Sequence, residues 1–348
     1  MLIQSQTPKG GYQITVWLDS RQSLPSGHGT TNMMLLKLPM HRKSCPTCVM
    51  NHLPDLSKLL VPSLFTEILD IQFPWEGNVD IAFASRYYFQ GTPDNSRRVF
   101  DTLHHQALKP ISSFGPSIPD FIQYLPSAHS PRYLEYTLAL VLLLDQGPRT
   151  LYRGLDVRWT YDFFDVSSRK LVKQLIASNS FPDAIKSWTS LGYSFEDAMV
   201  RKFWIYGPLI HSEDVEDHKF MEGKIEEMRR DVEKYAGVQD PSRQTQNRDA
   251  NDTTLFAKLI RAGPPSTFTE FFFWLFRVFD AHYPIIKEYG RYPYRNDAQG
   301  RGTTEREKVY LALTKNFGRP ALSLKDAEKL KNDKDKGIWE ELSNKGPW

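Results

Sequence analysis

The residues best equipped for chemistry in this chain stand in three short polar segments, each placed where an apolar helical run stops. The first is LLLDQGPRTLYRG, Leu142 to Gly154, which ends on Asp145, Gln146, Arg149 and Arg153. Asp145 and Arg149 are four apart, as are Arg149 and Arg153, so on a continuous helix they would share a face. Gly147-Pro148 is expected to break that regularity, so that the arginines open a new turn. Guanidinium forks suit carboxylate or phosphate, which makes an anion clamp one reading. An Asp–Arg lock tying the helix end to a neighbour is the other.

The second segment is IYGPLIHSEDVEDH at 205–218. His211 and Glu213 are candidates to move a proton, since histidine beside carboxylate is the common general acid–base pairing. Asp214 and His218 fall on one helix face, but the spacing is not that of the H-E-x-x-H metalloproteases, and no metal is expected. The plainer alternative is a helix start whose acids complement the dipole. The third segment, EYGRYPYRNDAQGRGTTERE at 288–307, carries Arg291, Arg295, Asn296 and Arg301 behind Asp280 and His282. Gly290 stops a helix and Pro293 keeps Tyr292 extended, so these arginines lie on a turn. That turn either faces a ligand, with Arg291, Arg295 and Asn296 joining Asp145, Gln146, Arg149, Arg153 and Asp214, or is stapled to acids on earlier helices.

Cys45-Pro-Thr-Cys48, flanked by His41 and His52, lacks the context of a redox or zinc site, and the thiols read as incidental. No Walker loop, G-x-G-x-x-G or G-x-S-x-G stands in the chain, so the common nucleotide enzymes and serine hydrolases lose their support, and no cofactor is expected.

These segments need helices to position them. Of the 348 residues, 40% are hydrophobic and 13% aromatic, enough for a well-buried globular core. The net charge of +3 with 24% charged residues argues against a nucleic-acid surface. The longest apolar runs fall far short of the roughly 20 residues of a membrane span. Two cysteines and no charged-then-apolar leader point to a cytoplasmic protein with no membrane association.

Residues 1–60, punctuated by Gly, Ser and Pro, read as an N-terminal extension, candidate strand at Tyr12–Leu18 included. Residues 61–320 read as a helical domain. Pro62 suits a first turn, Ser130-Pro131 opens RYLEYTLALVLLLD, and Tyr161–Ala177 keeps the 3.6 period. Gly237 closes an amphipathic helix, Phe268–Tyr289 forms one long aromatic helix closed by Gly290, and Thr304-x-x-Glu307 is a capping box. Residues 321–348 form a charged tail expected to fray, with Ile338 and Trp339 as candidates to dock. The fold class is all-α, an antiparallel helical bundle.

With the three segments in order, the chain resembles a bacterial and fungal helical family catalogued as domain of unknown function 924. Leu143–Gly154 is similar to its L-L-D-Q-F-P-R-N-x-F-R-G pattern, Pro208–Asp214 to its P-x-x-H-S-E-D, and His282–Asn296 to its closing H-x-x-I-I-x-x-F-G-R-F-P-x-R-N. ILDIQF at 68–73 looks like a degraded form of its L-D-F-W-F. The resemblance spans about 64–317 and implies a tetratricopeptide-like bundle with no established activity. Gly147 stands where the family has an aromatic residue and Gln72 where it has Trp, which predicts looser packing at the first motif.

Two functional classes follow. In one, a polar cleft of arginine, histidine and acid binds a small anionic ligand, either as a binder or as an accessory metabolic enzyme using His211 and Glu213. In the other, the motifs stabilise a non-catalytic helical scaffold for a protein partner.

Overall fold

A computed structural model describes residues 53–89 and 97–346. Tyr12–Leu18, Cys45 and Cys48 lie outside them. No strand occurs among the described residues; the class is all-α.

Helix α1 (Pro62–Gln72) starts on its proline, whose missing N–H costs nothing in a first turn. Helix α2 (Ile81–Phe89) follows, and a π-helical stretch covers Phe100–Leu108. Helix α3 (Tyr133–Leu151) is the axis of the molecule. Every residue from Thr137 to Arg149 is buried on it, as expected of a helix apolar around its whole circumference. It packs against α1, the Phe100–Leu108 stretch, α4 (Asp165–Ala177) and α5 (Phe195–Ile205).

One expectation fails on this helix. It does not break at Gly147-Pro148 but runs through to Leu151. Pro148 lies in the last turn, where the single lost backbone bond is offset by burial of the helix on all sides. At Gly147 a cavity of about 50 Å³, lined also by Gln72, lies beside the helix, as the smaller residues at the first motif predict; Leu108 stands on the near side, 3.2 Å from where a Cβ would be.

Helix α6 (Val215–Ala236) starts at Asp214, whose carboxylate caps Glu216 N–H at 2.9 Å, and ends at left-handed Gly237. Helix α7 (Leu255–Ala262) follows. The long aromatic helix is two: α8 (Phe268–Asp280) and α9 (Tyr283–Tyr289). Pro284 in the first turn of α9 cannot donate back across the joint, so the chain restarts there. Helix α9 ends at left-handed Gly290, and α10 (Glu305–Thr314) opens with the capping box of Thr304 and Glu307.

The charged C-terminal stretch is folded. Helix α11 (Leu324–Asp335) is capped by Ser323, and residues 338–343 bind the chain near 156–159. Arg158 donates to Ile338 O at 2.8 Å, Trp159 Nε1 to Glu340 O at 3.2 Å, and Ser343 N–H and hydroxyl to Asp156. Trp339 meets Trp159 edge-on at 4.8 Å with the Arg158 guanidinium 4.5 Å over its ring, and Leu342 is 1% exposed. Such aromatic and cation–π contacts are worth roughly 0.5–1.5 kcal/mol each. Trp339→Ala is therefore expected to lower stability by about 1–3 kcal/mol in urea titrations. An unchanged midpoint would mean that this segment frays after all.

Candidate functional site

Asp145, nearly two turns before the end of α3, is 1% exposed, and such a carboxylate needs partners. They come from three places. Gln146 Nε2 donates at 2.5 Å, His211 Nδ1 lies 2.9 and 3.1 Å from the two carboxylate oxygens, and Arg149 approaches to 3.5 Å. His211 reaches it because the short helix Gly207–Ile210 abuts α3. Position 207 has to be glycine for that approach: a Cβ there would stand 2.8 Å from Asp145 Oδ2.

Burial pushes the Asp145 carboxyl up, but His211 and Arg149 outweigh it and hold the group below the ordinary carboxylate range. Burial, reinforced by Arg149, drives His211 down to about 4 against the pull of Asp145. The imidazole is therefore neutral near pH 7. An ionised carboxylate only accepts, so Nδ1 carries the proton and Nε2 keeps its lone pair. The His211 side chain is 14% exposed.

Arg149 is 4% exposed and points its Nη2 at Asp165 Oδ1, 2.6 Å away. Asp165 begins α4, just after a π-helical turn at Thr160–Phe164. Its other oxygen lies 3.3 Å from Arg295 Nη1. Burial pushes the Asp165 carboxyl up against the opposing pull of Arg149 and Arg295. Arg295 also donates to His211 O at 2.8 Å and Tyr294 Oη at 3.2 Å, and its guanidinium lies 4.5 Å over Tyr292 and 4.8 Å over Tyr161. Two carboxylates and two guanidinium groups thus neutralise one another in a closed centre.

The remaining motif residues are engaged elsewhere. Glu213 accepts from Tyr292 N–H at 2.8 Å and from both Arg301 Nη atoms at 2.6 and 3.0 Å. Burial raises Glu213, while Arg301 and Arg295 bring it below its ordinary value. Asp214, besides capping α6, pairs with Arg169 at 2.5 Å. Arg291 forks onto Glu307 at 2.7 and 2.9 Å, and Asn296 Nδ2 reaches Thr303 at 3.3 Å. The structure thus gathers Asp145, Gln146, Arg149, His211 and Arg295. Glu213, Asp214, Arg291 and Asn296 hold the surrounding loops.

Arg153 is the exception. Beyond the end of α3 the backbone is extended, and Nη1 donates to two carbonyls, Arg149 O at 2.9 Å and Tyr152 O at 2.8 Å. No carboxylate among the described residues pairs with it. Arg319 Nη1 points at the same Arg149 O from 3.5 Å, and its buried Nε has no partner. Burial and the neighbouring Arg319 charge lower Arg153 to about 10.

Residues 125–314, more than half of the chain, match the model of a bacterial protein family of unknown function, DUF924. The chain belongs to the DUF924 family. No curated protein and no solved structure matches it. The whole Asp145–Arg149–Asp165–His211–Arg295 centre lies inside the DUF924 match, as does Arg153; Arg319 and α11 lie beyond it. No group of three or more His, Cys, Asp or Glu among the described residues is arranged to hold a metal, and none of their helices is long and apolar enough to cross a membrane.

Sequence reasoning missed Asp165, Arg319 and the role of Glu307 as the partner of Arg291. A lone acid following Phe163-Phe164 in a helical apolar stretch was the available signal for Asp165.

Asp165→Ala would strand two guanidinium groups in the interior. A loss of about 3–5 kcal/mol is expected, far above the ~1 kcal/mol ceiling of exposed pairs such as Lys308–Glu305. Chemical denaturation of both alanine variants, Asp165 and Glu305, checks the contrast, and equal losses would remove Asp165 from its assigned place.

The histidines set a pH dependence. His211 stands at about 4, and burial also depresses His218 and His282. A base whose folded value lies below its unfolded value of ~6.5 leaves the unfolded chain holding more protons as pH falls. Stability should therefore be full above pH ~6.5 and decline toward pH 4, each such histidine contributing up to about 1.4 kcal/mol per pH unit. Urea midpoints at pH 7.5, 6 and 5 read this directly; a flat profile contradicts neutral burial of these rings.

Proposed function

We propose that this DUF924 protein binds a small anionic ligand through Arg153, assisted by Arg319, with Asp145, Gln146, Arg149, Asp165 and Arg295 as the rigid frame behind them. One observation carries the reading. Arg149, Arg291, Arg295 and Arg301 each face a carboxylate, whereas Arg153 and Arg319 share a carbonyl and face none. Two close guanidinium groups without counter-charge repel each other, and an anion between them relieves that repulsion.

The clamp is thus narrower than the motif arginines suggest. Arg291, Asp214 and Asn296 support loops around it, and Glu213, ionised against Arg301, has no proton to exchange near neutrality. The two cysteines of the chain fit a reducing, cytoplasmic setting.

A catalytic reading has its own observation. Asp145 fixes the tautomer and orientation of His211, leaving Nε2 as a lone-pair acceptor on a partly exposed ring. That is the arrangement of a general base held by a buried acid. In this reading Glu213 positions the Tyr292 backbone beside the guanidinium of Arg295 and transfers no proton itself. A scaffold without a ligand is the outcome if no anion binds.

Thermal shift at constant ionic strength distinguishes these. Inorganic phosphate and a series of mono- and dicarboxylates are titrated against the wild type and Arg153→Gln. An anion present at 100 times its Kd should stabilise the wild type by about 2.7 kcal/mol. The variant should show no such shift. An equal shift in both proteins, or none with any anion, rules the clamp out.

A further inference from the structure

Arg153, though not Arg319, lines a cavity whose composition specifies more than an anion. The cavity encloses about 450 Å³ between the chain at 151–159 and the C-terminal stretch. That is room for one small molecule, within the usual range of ligand pockets. Leu151, Trp159, Leu330 and Trp339 form apolar walls. Arg153 lines it without a carboxylate partner, and so does Asp326 without a cationic one; of the other cations there, Arg158 pairs with Asp162 and Lys345 is exposed.

Asp326 is half-buried on the first turn of α11, and its carboxylate makes no ion pair or side-chain hydrogen bond among the described residues. The other acids of the cavity are differently placed. Asp333 and Glu340 share Lys329 at 2.8 and 2.6 Å, Asp156 holds Ser343, and Glu341 is exposed. Arg153 and Asp326 do not bridge each other either. Opposite charges that line one cavity, stay apart and lack charged partners are complementary to a molecule that carries both charges.

Resting on the anion reading above, we propose that the ligand is a zwitterion with an apolar or aromatic side chain, an α-amino acid or a dipeptide. Its carboxylate lies on the Arg153 guanidinium, its ammonium on the Asp326 carboxylate, and its side chain against the Leu330 and tryptophan walls. Guanidinium–carboxylate forks give direction at one end. The indole faces favour the apolar part and tolerate the nearby ammonium. A simple anion still reaches Arg153 but binds more weakly, because Asp326 repels it; a simple amine meets the Arg153 charge.

Three probes separate the charges: phenylalanine, N-acetylphenylalanine, which keeps only the carboxylate, and phenylalanine amide, which keeps only the ammonium. Binding is followed on the full chain by calorimetry and by the fluorescence of its tryptophans, for the wild type, Arg153→Gln and Asp326→Asn. Neither substitution strands a charged partner, and a cooperative melt verifies folding of each. Phenylalanine is expected to bind at least tenfold more tightly than either derivative. Asp326→Asn should erase the preference over the N-acetyl compound, and Arg153→Gln the preference over the amide.

N-acetylphenylalanine binding the wild type as tightly as phenylalanine, with loss in Arg153→Gln, overturns the zwitterion and leaves the anion reading standing. Phenylalanine or N-acetylphenylalanine binding that Arg153→Gln does not weaken overturns the anion reading as well. Failure of all three probes, in a protein that phosphate or dicarboxylates stabilise through Arg153, overturns the zwitterion alone.

Discussion

The interior of this protein depends on keeping the Arg149 guanidinium ionised out of water. A charge of that kind at 4% exposure is tolerable only with acids in direct contact, and Asp165 and Asp145 supply them from two sides. Each acid belongs to a different part of the chain, and each recruits a further group: Asp165 takes Arg295, and Asp145 takes His211. The four meeting points therefore join the end of α3, the start of α4, the Gly207–His211 corner and the loop after α9. An apolar replacement of equal volume could match the stability of such a cluster. It could not require these four segments to meet in one register, because apolar contacts are not directional. Register is the physical return on burying these charges.

Local backbone features arise from the same requirement. Gly207 is demanded by the Asp145 oxygen 2.8 Å from where its Cβ would be. The π-helical turn at Thr160–Phe164 precedes Asp165, and such turns shift the angular position of every later residue on a helix. Thr160 Oγ1 donates to Pro148 O at 3.3 Å, which ties that turn to the end of α3 beside Arg149. The proline that sequence reading takes for a helix breaker is thus held within the helix by the neighbour it faces.

The features legible in the sequence are those that depend on spacing. The capping box at Thr304, the glycine stops at 237 and 290 and the all-α class all come from local rules, and the structure has each of them; the shared face of Asp145 and Arg149 needed the helix to run on through Gly147-Pro148, where a break was expected. Which distant acid answers which arginine was not legible. Asp165 sits in an apolar stretch with no motif around it, and its partners are 16 and 130 positions away. Glu307 was recognisable as a capping residue, yet its fork onto Arg291 needed the loop to fold back. The apparent excess of motif arginines over acids made a broad anion clamp plausible. Long-range pairing reduces it to Arg153 and Arg319.

The surplus at those two residues has a structural explanation that goes part of the way. The last carbonyls of a helix lack backbone donors and carry the negative end of its dipole, so cations are favoured there. Arg153 and Arg319 do meet at Arg149 O, a carbonyl in the last turn of α3. The helix end, however, amounts to about half an elementary charge. Set against two full guanidinium charges, it leaves a net positive charge of roughly one and a half in a partly desolvated place. Helix capping accounts for why one arginine stands at the end of α3. It does not account for the second, and the uncompensated remainder is of the size that a single carboxylate or phosphate would neutralise.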